Sequence, residues 1–105
     1  MEFRPLGSSG LVVSVVGLGC NNFGGRLDFD ATRAVVHKAL DLGVNFFDTA
    51  DTYGERGRSE EYLGKILGPR RRDVLIATKF GLPMAKDAPE RNASSTYVMT
   101  AVEAS

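Results

Sequence analysis

Three short apolar runs recur along the chain, and none alternates cleanly enough for a strand with one solvated face. They are "SVVGLG" at 14–19, "VNFFDTA" at 44–50 and "DVLIATKF" at 73–80. Runs of this kind are typical of parallel strands that are covered on both faces. Their starts lie about 30 residues apart, which leaves room for a helix between consecutive strands.

The segment after the first run predicts an amphipathic helix. Asp30 stands where an N-cap side chain is favoured, and Gly43 stands where a left-handed residue ends a helix. The apolar positions that share one face of this helix are Ala31, Val35, Ala39 and Leu42. His37 falls off that face, so we interpret it as an exposed residue.

Two more helices are predicted after the second and third runs. The first of them begins at Ser59 as N-cap, ends at Gly68 and Pro69, and has an apolar face made of Tyr62, Leu63, Ile66 and Leu67. The other extends from about Ser95 to Ser105. The order strand, helix, strand, helix, strand, loop, helix is a βα repeat, so the predicted fold class is α/β.

The number of repeats indicates part of a larger fold. The stretch "FRPLGSSGLVV" at 3–13 predicts a short β-hairpin with Ser9 and Gly10 at its tip, ahead of the repeat. A (β/α)8 barrel needs eight βα units and about 250 residues, and three parallel strands alone leave an unpaired edge. We therefore expect residues 1–105 to be a partial TIM-barrel domain, comprising the hairpin and the first three βα units and truncated after the third.

Composition and charge exclude several kinds of partner. Thirteen Lys and Arg residues balance thirteen Asp and Glu residues, so no net field attracts nucleic acid or an anionic membrane, and a small-molecule substrate is expected. The single cysteine, Cys20, cannot form an internal disulfide, and the N-terminal ten residues lack the apolar core of a secretion signal. We expect a cytoplasmic protein, and the sequence does not indicate its oligomeric state.

Residues that can perform acid–base chemistry follow the predicted strands. Asp48 and Tyr53 follow the second strand, and Lys79 ends the third. Ligands of parallel βα folds bind beyond the carboxyl ends of the strands, so we expect these side chains at one rim. An ammonium beside a phenol favours the phenolate and lowers its pKa, and a carboxylate balances the ammonium. The three residues therefore predict an Asp–Lys–Tyr proton relay.

Three motifs resemble the aldo-keto reductase family in their order and spacing: "VSVVGLGCNNFGG", "FFDTADTYG" and "IATKFG". The resemblance implies a TIM-barrel oxidoreductase that reduces aldehydes or ketones with hydride from NADPH. It also implies that Tyr53 is the general acid, that Lys79 lowers the pKa of Tyr53, and that Asp48 is the partner of the lysine. The residues that would border the nicotinamide end of NADP(H) are Gly19, Cys20, Asn21 and Asp48.

The chain departs from the family pattern in one catalytic position. The histidine that the family carries near the end of its fourth strand would lie beyond Ser105, and His37 cannot replace it from within a helix. The residues that hold the adenosine phosphate also come from later strands, so NADP rather than NAD rests on the resemblance alone. We expect the 105-residue chain by itself to be inactive.

Two other functions fit the same residues. Lys79 at a strand end can be the amine of a Schiff-base lyase. The resemblance also implies a non-enzymatic alternative, a channel beta subunit in which cofactor binding is regulatory. Both alternatives stay open at the level of sequence.

Several other residues are interpreted as structural. Asp51 is expected to shape its loop through an Asx turn, and Cys20 to be a small buried side chain, with a redox-sensitive thiol as the alternative. Residues 70–72, "RRR", are expected on the solvated rim opposite the site. The polar loop at 81–94 either gates the pocket or only connects two elements.

Overall fold

The computed structural model describes residues 1–84 and 92–105, and a parallel three-stranded sheet lies at its centre. The sheet contains β3 (Leu18–Gly19), β4 (Phe46–Asp48) and β5 (Leu75–Ala77) in that order. Gly19 lies opposite Asp48, and Asp48 lies opposite Ala77, so the three strands end at the same level. Their carboxyl ends therefore form one rim.

A separate hairpin precedes this sheet. Strand β1 (Phe3–Pro5) pairs antiparallel with β2 (Val12–Ser14), and the Leu6 N–H donates to the Leu11 carbonyl at 2.8 Å to close the turn. Asn45 joins the hairpin to β4, because its side chain accepts from the Ser14 N–H at 2.7 Å. The hairpin is thus held against the entry to the central strand.

Helices follow each strand of the parallel sheet. They are α1 (Phe29–Asp41), α2 (Tyr53–Leu67) and α3 (Ser95–Ala104), and a 3-10 turn (Gly68–Asp73) leads from α2 into β5. This alternation confirms the predicted α/β class. Helices α1 and α2 cover the sheet and bury a core formed by Phe23, Val36, Phe47, Leu63, Leu67 and their neighbours.

Helix α1 begins two residues earlier than predicted, and its buried face is rotated. Asp28, not Asp30, is the N-cap, because its carboxylate accepts from the Ala31 N–H at 2.9 Å. The buried residues are Thr32, Val36, Ala39 and Leu40. The predicted face was wrong at Val35 and Leu42, which are exposed. Apolar and small residues lie on two neighbouring faces of α1, so either face could be buried, and contact with α2 decides which one is.

Two other predictions for α1 are confirmed. Gly43 ends the helix with a φ of 87°, and His37 is exposed.

The α2 segment begins at Tyr53, but its regular right-handed part begins only at Arg58, one residue before the predicted N-cap Ser59. Residues 54–57 form a left-handed turn, and the regular part of the helix follows it. Ser59 is therefore not an N-cap but a completely buried residue inside the helix. The predicted apolar face of α2 is correct for Leu63 and Leu67, which lie in the core.

The first predicted strand was wrong over its N-terminal half. Val15 and Val16 are exposed rather than covered, and only Leu18–Gly19 pairs with β4. Ser14 belongs instead to the hairpin. The third strand was also expected to be covered on both faces, but Leu75–Ala77 is only half-buried. One edge of β5 has no neighbour among the described residues, which explains that exposure.

Two further observations concern only the described residues. Within residues 1–84 and 92–105, no helix is long and apolar enough to cross a membrane. The loop predicted at 81–94 is described at its two ends, and its central part, 85–91, lies outside the described residues. Helix α3 begins after it with Ser94 as N-cap, where the Ser94 hydroxyl accepts from the Tyr97 N–H at 3.2 Å.

Candidate active site

The end of β4 places Asp48 at the rim. Alternation along the strand buries Phe47 in the core, so its neighbour Asp48 has the opposite orientation. The main chain of Asp48 is held from one side, because the Cys20 N–H donates to the Asp48 carbonyl at 2.9 Å. The carboxylate remains about half exposed, with 49% of the side chain accessible. A ligand at the rim can therefore reach it.

Lys79 reaches the rim from the loop after β5. Its Nζ donates to Asp48 Oδ1 and, at 2.9 Å, to the Thr49 carbonyl. Its own carbonyl accepts from the Asp51 N–H at 3.1 Å, which fixes the main chain as well. The hydrogen bond that Lys79 donates to Asp48 raises the pKa of Lys79, and partial burial opposes that rise. Lys79 is therefore a fixed ammonium at neutral pH.

Tyr53 completes a three-residue cluster. The Lys79 Nζ lies 5.2 Å from the centroid of the Tyr53 ring, within the range of a cation–π contact. The Tyr53 N–H donates to the Ala50 carbonyl at 3.2 Å, so a tight turn carries the chain from β4 into α2. The structure thus brings the three predicted catalytic residues together at one rim.

A close backbone approach fixes the chain just after Tyr53. A Cβ on Gly54 would lie 2.1 Å from the Phe23 carbonyl oxygen, and the φ of Gly54 is 71°. Only glycine allows both the contact and the backbone conformation. The loop after β3 and the loop after β4 therefore pack directly against each other, and Tyr53 lies at their junction.

The residues predicted to border a cofactor differ in what they expose. Gly19 and Asn21 are exposed next to Asp48, and a Cβ on Gly19 would meet only the Asn21 side chain at 3.8 Å. Gly19 offers a main chain without a side chain, Asn21 offers an amide, and Asp48 offers a carboxylate. That donor and acceptor set suits the carboxamide end of a nicotinamide ring.

Cys20 has a different environment from its neighbours. Its side chain is completely buried in the core, and burial raises the pKa of its thiol to about 12. The Cys20 Sγ donates to the Leu18 carbonyl at 3.4 Å. The predicted small buried side chain is confirmed. The whole residue is inaccessible, and its N–H and carbonyl are already bonded to Asp48 and Ser59, so the predicted contact between Cys20 and a cofactor is not supported by its position.

The Asx turn predicted at Asp51 was wrong. The Tyr53 N–H, which an Asx turn would use, donates to the Ala50 carbonyl instead. Asp51 is only 8% exposed, and its burial, followed by the nearby charge of Glu60, raises its pKa. Asp51 lines a groove of about 1030 Å³ between α2 and α3, together with Leu82, Met84 and Tyr97. Asp48, Tyr53 and Lys79 do not line that groove.

Sequence reasoning missed a pair of buried hydroxyls behind the rim. Thr49 Oγ1 and Ser59 Oγ lie 2.8 Å apart, and Ser59 Oγ donates to the Cys20 carbonyl at 2.9 Å. The sequence predicts a helix cap at Ser59, because the left-handed turn before it leaves no sequence signal apart from its two glycines. Among the described residues, no group of three or more His, Cys, Asp or Glu could hold a metal ion.

Comparison with known proteins places the chain in a family. The model of the Aldo/keto reductase family matches residues 15–105. The chain belongs to the aldo/keto reductase family. Membership accounts for a strand-end lysine, an acid and a tyrosine gathered at one rim of parallel strands.

Individual family members resemble the chain over part of their length. Uncharacterized oxidoreductase YqkF of Bacillus subtilis is 43% identical over 81 residues, which are 77% of this chain and 26% of that protein. A probable voltage-gated potassium channel subunit beta of Arabidopsis thaliana is 42% identical over 83 residues, 75% of this chain and 25% of that protein. The chain thus spans about a quarter of the length of these relatives.

A solved structure from the same family matches almost all of the fold. It is the aldo-keto reductase AKR11C1 from Bacillus halodurans in its holo form, with a TM-score of 0.87 and 38% sequence identity. The match covers 99% of this chain and 35% of that chain. The fold of the described residues is therefore that of one part of an aldo-keto reductase.

Proposed function

We propose that the chain is the N-terminal part of an NADP-dependent reductase that converts aldehydes or ketones to alcohols. One observation carries the proposal: Lys79 Nζ donates to Asp48 Oδ1 and lies 5.2 Å from the Tyr53 ring. Family membership supports the oxidoreductase class. The rest of a TIM barrel would supply the strands and the histidine that residues 1–105 do not contain.

Tyr53 is the proposed proton donor. As the phenol gives its proton to a carbonyl oxygen, negative charge develops on the tyrosine oxygen, and the Lys79 ammonium stabilises that charge. Asp48 keeps the ammonium protonated and oriented, since its hydrogen bond raises the pKa of Lys79. Each residue thus has one role in moving a single proton.

Gly19, Asn21 and Asp48 are the proposed contacts for the nicotinamide end of NADP(H), and the completely buried Cys20 is left out of this set. The exposed amide and carboxylate at an open glycine support this assignment. Reduced nicotinamide, when bound, supplies the hydride for carbonyl reduction. Because Cys20 is a buried free thiol that needs no oxidising compartment, the cytoplasm is the proposed location.

The Schiff-base alternative is less well supported by the geometry. An imine-forming lysine needs a neutral amine, which a lowered pKa provides. The pKa of Lys79 is raised, and its Nζ is engaged with Asp48 and Thr49. Borohydride trapping of a carbonyl substrate on Lys79 would revive this function, and we expect no trapping.

A channel beta subunit is the second candidate function. It is favoured by the 42% identity to a probable voltage-gated potassium channel subunit beta of Arabidopsis thaliana. In that case the same rim would bind the cofactor, and turnover would be secondary. Stable co-purification of the protein with a membrane channel complex would favour this function over a free reductase.

Replacement of the tyrosine tests the reductase proposal. In a polypeptide that carries the complete barrel, Tyr53→Phe is expected to lower the rate of aldehyde reduction about 10²- to 10⁴-fold and to leave NADPH affinity unchanged. Tyr62→Phe is the matched control, because Tyr62 in α2 packs edge-on against Phe29 at the start of α1, away from the rim. Unchanged reduction by Tyr53→Phe would show that another group is the acid.

The 105-residue chain alone is proposed to be inactive. Its described residues provide three parallel strands of the proposed barrel and the residues proposed for the nicotinamide end of the cofactor. Titration with NADPH, followed by fluorescence, is expected to show no saturable binding and no aldehyde-dependent oxidation. Micromolar binding with turnover by a monodisperse monomer would contradict both the truncation and the need for later strands.

A further inference from the structure

Ser59 makes two hydrogen bonds that join the loops behind the rim. Its hydroxyl has one hydrogen, and that hydrogen goes to the Cys20 carbonyl at 2.9 Å, because a carbonyl can only accept. Thr49 must therefore donate in the 2.8 Å contact between the two hydroxyls. Thr49 therefore donates to Ser59, and Ser59 donates to the Cys20 carbonyl; the carbonyl acceptor fixes both directions.

Thr49 connects this chain of hydroxyls to the candidate site. Its carbonyl accepts from Lys79 Nζ at 2.9 Å, and its N–H donates to the Ala77 carbonyl at 2.8 Å. The side chain of Thr49 thus points toward Ser59, while its carbonyl holds the ammonium. A displacement of Thr49 would move an acceptor of Lys79.

Packing alone does not require hydroxyls at these positions. Thr49 and Ser59 are both fully buried, and apolar residues of the same shape can be equally stable in such a place. A satisfied polar pair has one geometry, whereas an apolar pair tolerates several. The hydroxyl pair therefore adds a second restraint on Thr49, beside the bond from its N–H to the Ala77 carbonyl.

We propose that Ser59 is a positioning residue for Lys79, acting through Thr49. Ser59 holds the Thr49 side chain against the Cys20 carbonyl at the end of β3, and this fixes the Thr49 carbonyl as the second acceptor of the ammonium. The inference rests on the proposed function, since it gives Lys79 a reason to be held precisely. Ser59 itself touches neither Lys79 nor the rim.

The test follows the titration of the Lys79 ammonium by NMR in the 105-residue chain with isotope-labelled lysine, in a Cys20→Ala background so that ionisation of the buried thiol does not destabilise the fold at high pH. The signal is assigned with Lys79→Arg. Ser59→Ala and Thr49→Val are each expected to lower the pKa of Lys79 by about 0.5 to 1 unit, because a weakened acceptor stabilises the ammonium less. Thr49→Ser keeps the hydroxyl and is expected to leave the titration unchanged.

Two further variants make the result specific. The double variant Ser59→Ala with Thr49→Val is expected to shift the pKa no more than either single change, because both remove the same bond. Lys65, which pairs with Glu61 at 2.9 Å on an exposed helix face, serves as an internal reference and should not shift. Thr49→Val preserves side-chain shape, so the test holds even if Ser59→Ala disturbs folding.

Failure of this inference is distinguishable from failure of the proposed function. Asp48→Asn is expected to lower the pKa of Lys79 whatever the role of Ser59. If Asp48→Asn shifts the titration but Ser59→Ala and Thr49→Val do not, the positioning role is overturned and the Asp48–Lys79 pair stands. The reductase proposal depends separately on the Tyr53→Phe experiment.

Discussion

The sequence predicts the elements on both sides of β4 equally clearly, but the side chains on one side are much more deeply buried than those on the other. On one side lie β3, α1 and α2, whose apolar residues form the core around Phe47. On the other side lie β5 and α3. Helix α3 has no buried residue, and Met99 and Val102 are 62% and 63% exposed. We call these two regions the covered half and the open half.

The difference shows that helix formation and burial have separate causes. Capping and periodicity are local, and both α1 and α3 have an N-cap side chain that accepts from a main-chain N–H. Burial needs a facing surface, which α2 provides for α1. The candidate site spans the two halves, since Asp48 belongs to the covered half and Lys79 to the open half. The rim is therefore only as rigid as the bonds that join them.

The largest expected contrast is between a phenylalanine in each half. Phe47→Ala should destabilise the chain by about 3–5 kcal/mol, because it removes a fully buried ring at the centre of the core. Phe80→Ala should cost less than about 1 kcal/mol, since Phe80 is 42% exposed in the open half. Urea denaturation followed by circular dichroism measures both. Equal costs would abolish the distinction between the halves.

Alkaline pH should act on the covered half through Cys20. Burial raises the pKa of its thiol to about 12, so the folded state holds the proton that the unfolded state releases near its ordinary value. The associated stability is complete below about pH 8.5 and is lost as the pH rises toward 12, with about 3 kcal/mol gone at pH 11.

Denaturation at a series of pH values tests this loss. Cys20→Ala removes the thiol and should flatten the fall in stability between pH 9 and pH 11, although the variant starts from a lower value. Thiol labelling provides a second readout, because the folded chain should react at pH 8 only as fast as it opens. Rapid labelling of the folded chain would contradict the burial of Cys20.

Two glycines in α2 should respond with opposite signs. Gly54→Ala should destabilise the covered half by about 2 kcal/mol, because a Cβ would lie 2.1 Å from the Phe23 carbonyl in a left-handed backbone. Gly64→Ala should stabilise by about 0.5–1 kcal/mol, since a Cβ there meets nothing within 4 Å. Thermal unfolding distinguishes the two. A Gly54→Ala variant as stable as the parent chain would indicate that the turn is not tight.

The smallest contrast concerns the two helix caps. Asp28→Ala should cost about 1 kcal/mol of global stability, because α1 packs against the core. Ser94→Ala should remove a similar local bond but leave global unfolding unchanged, since α3 buries no residue. Hydrogen exchange should show faster exchange in α3 alone for Ser94→Ala. A global loss from Ser94→Ala would mean that the open half folds cooperatively with the covered half.

Local chemistry in the sequence was enough to predict much of the fold. The runs around Phe47 and Ile76, the left-handed Gly43 and the apolar face at Leu63 and Leu67 follow from side-chain type and spacing. Parallel strands end at one rim, so the strand ends also predicted that Asp48 and Lys79 would meet. These features depend on residues close together in the chain or on a general rule for parallel sheets.

Other features depended on contacts between distant segments. Val35 lies outside rather than inside, and Ser59 bonds to the Cys20 carbonyl instead of capping α2. In each case two local arrangements have similar free energy, and packing against another element selects one. The sequence by itself determined the α/β class and which residues lie at the strand ends. Only the tertiary structure decided which helix face is buried and which hydroxyls hold the rim, because both depend on a surface supplied by another part of the chain.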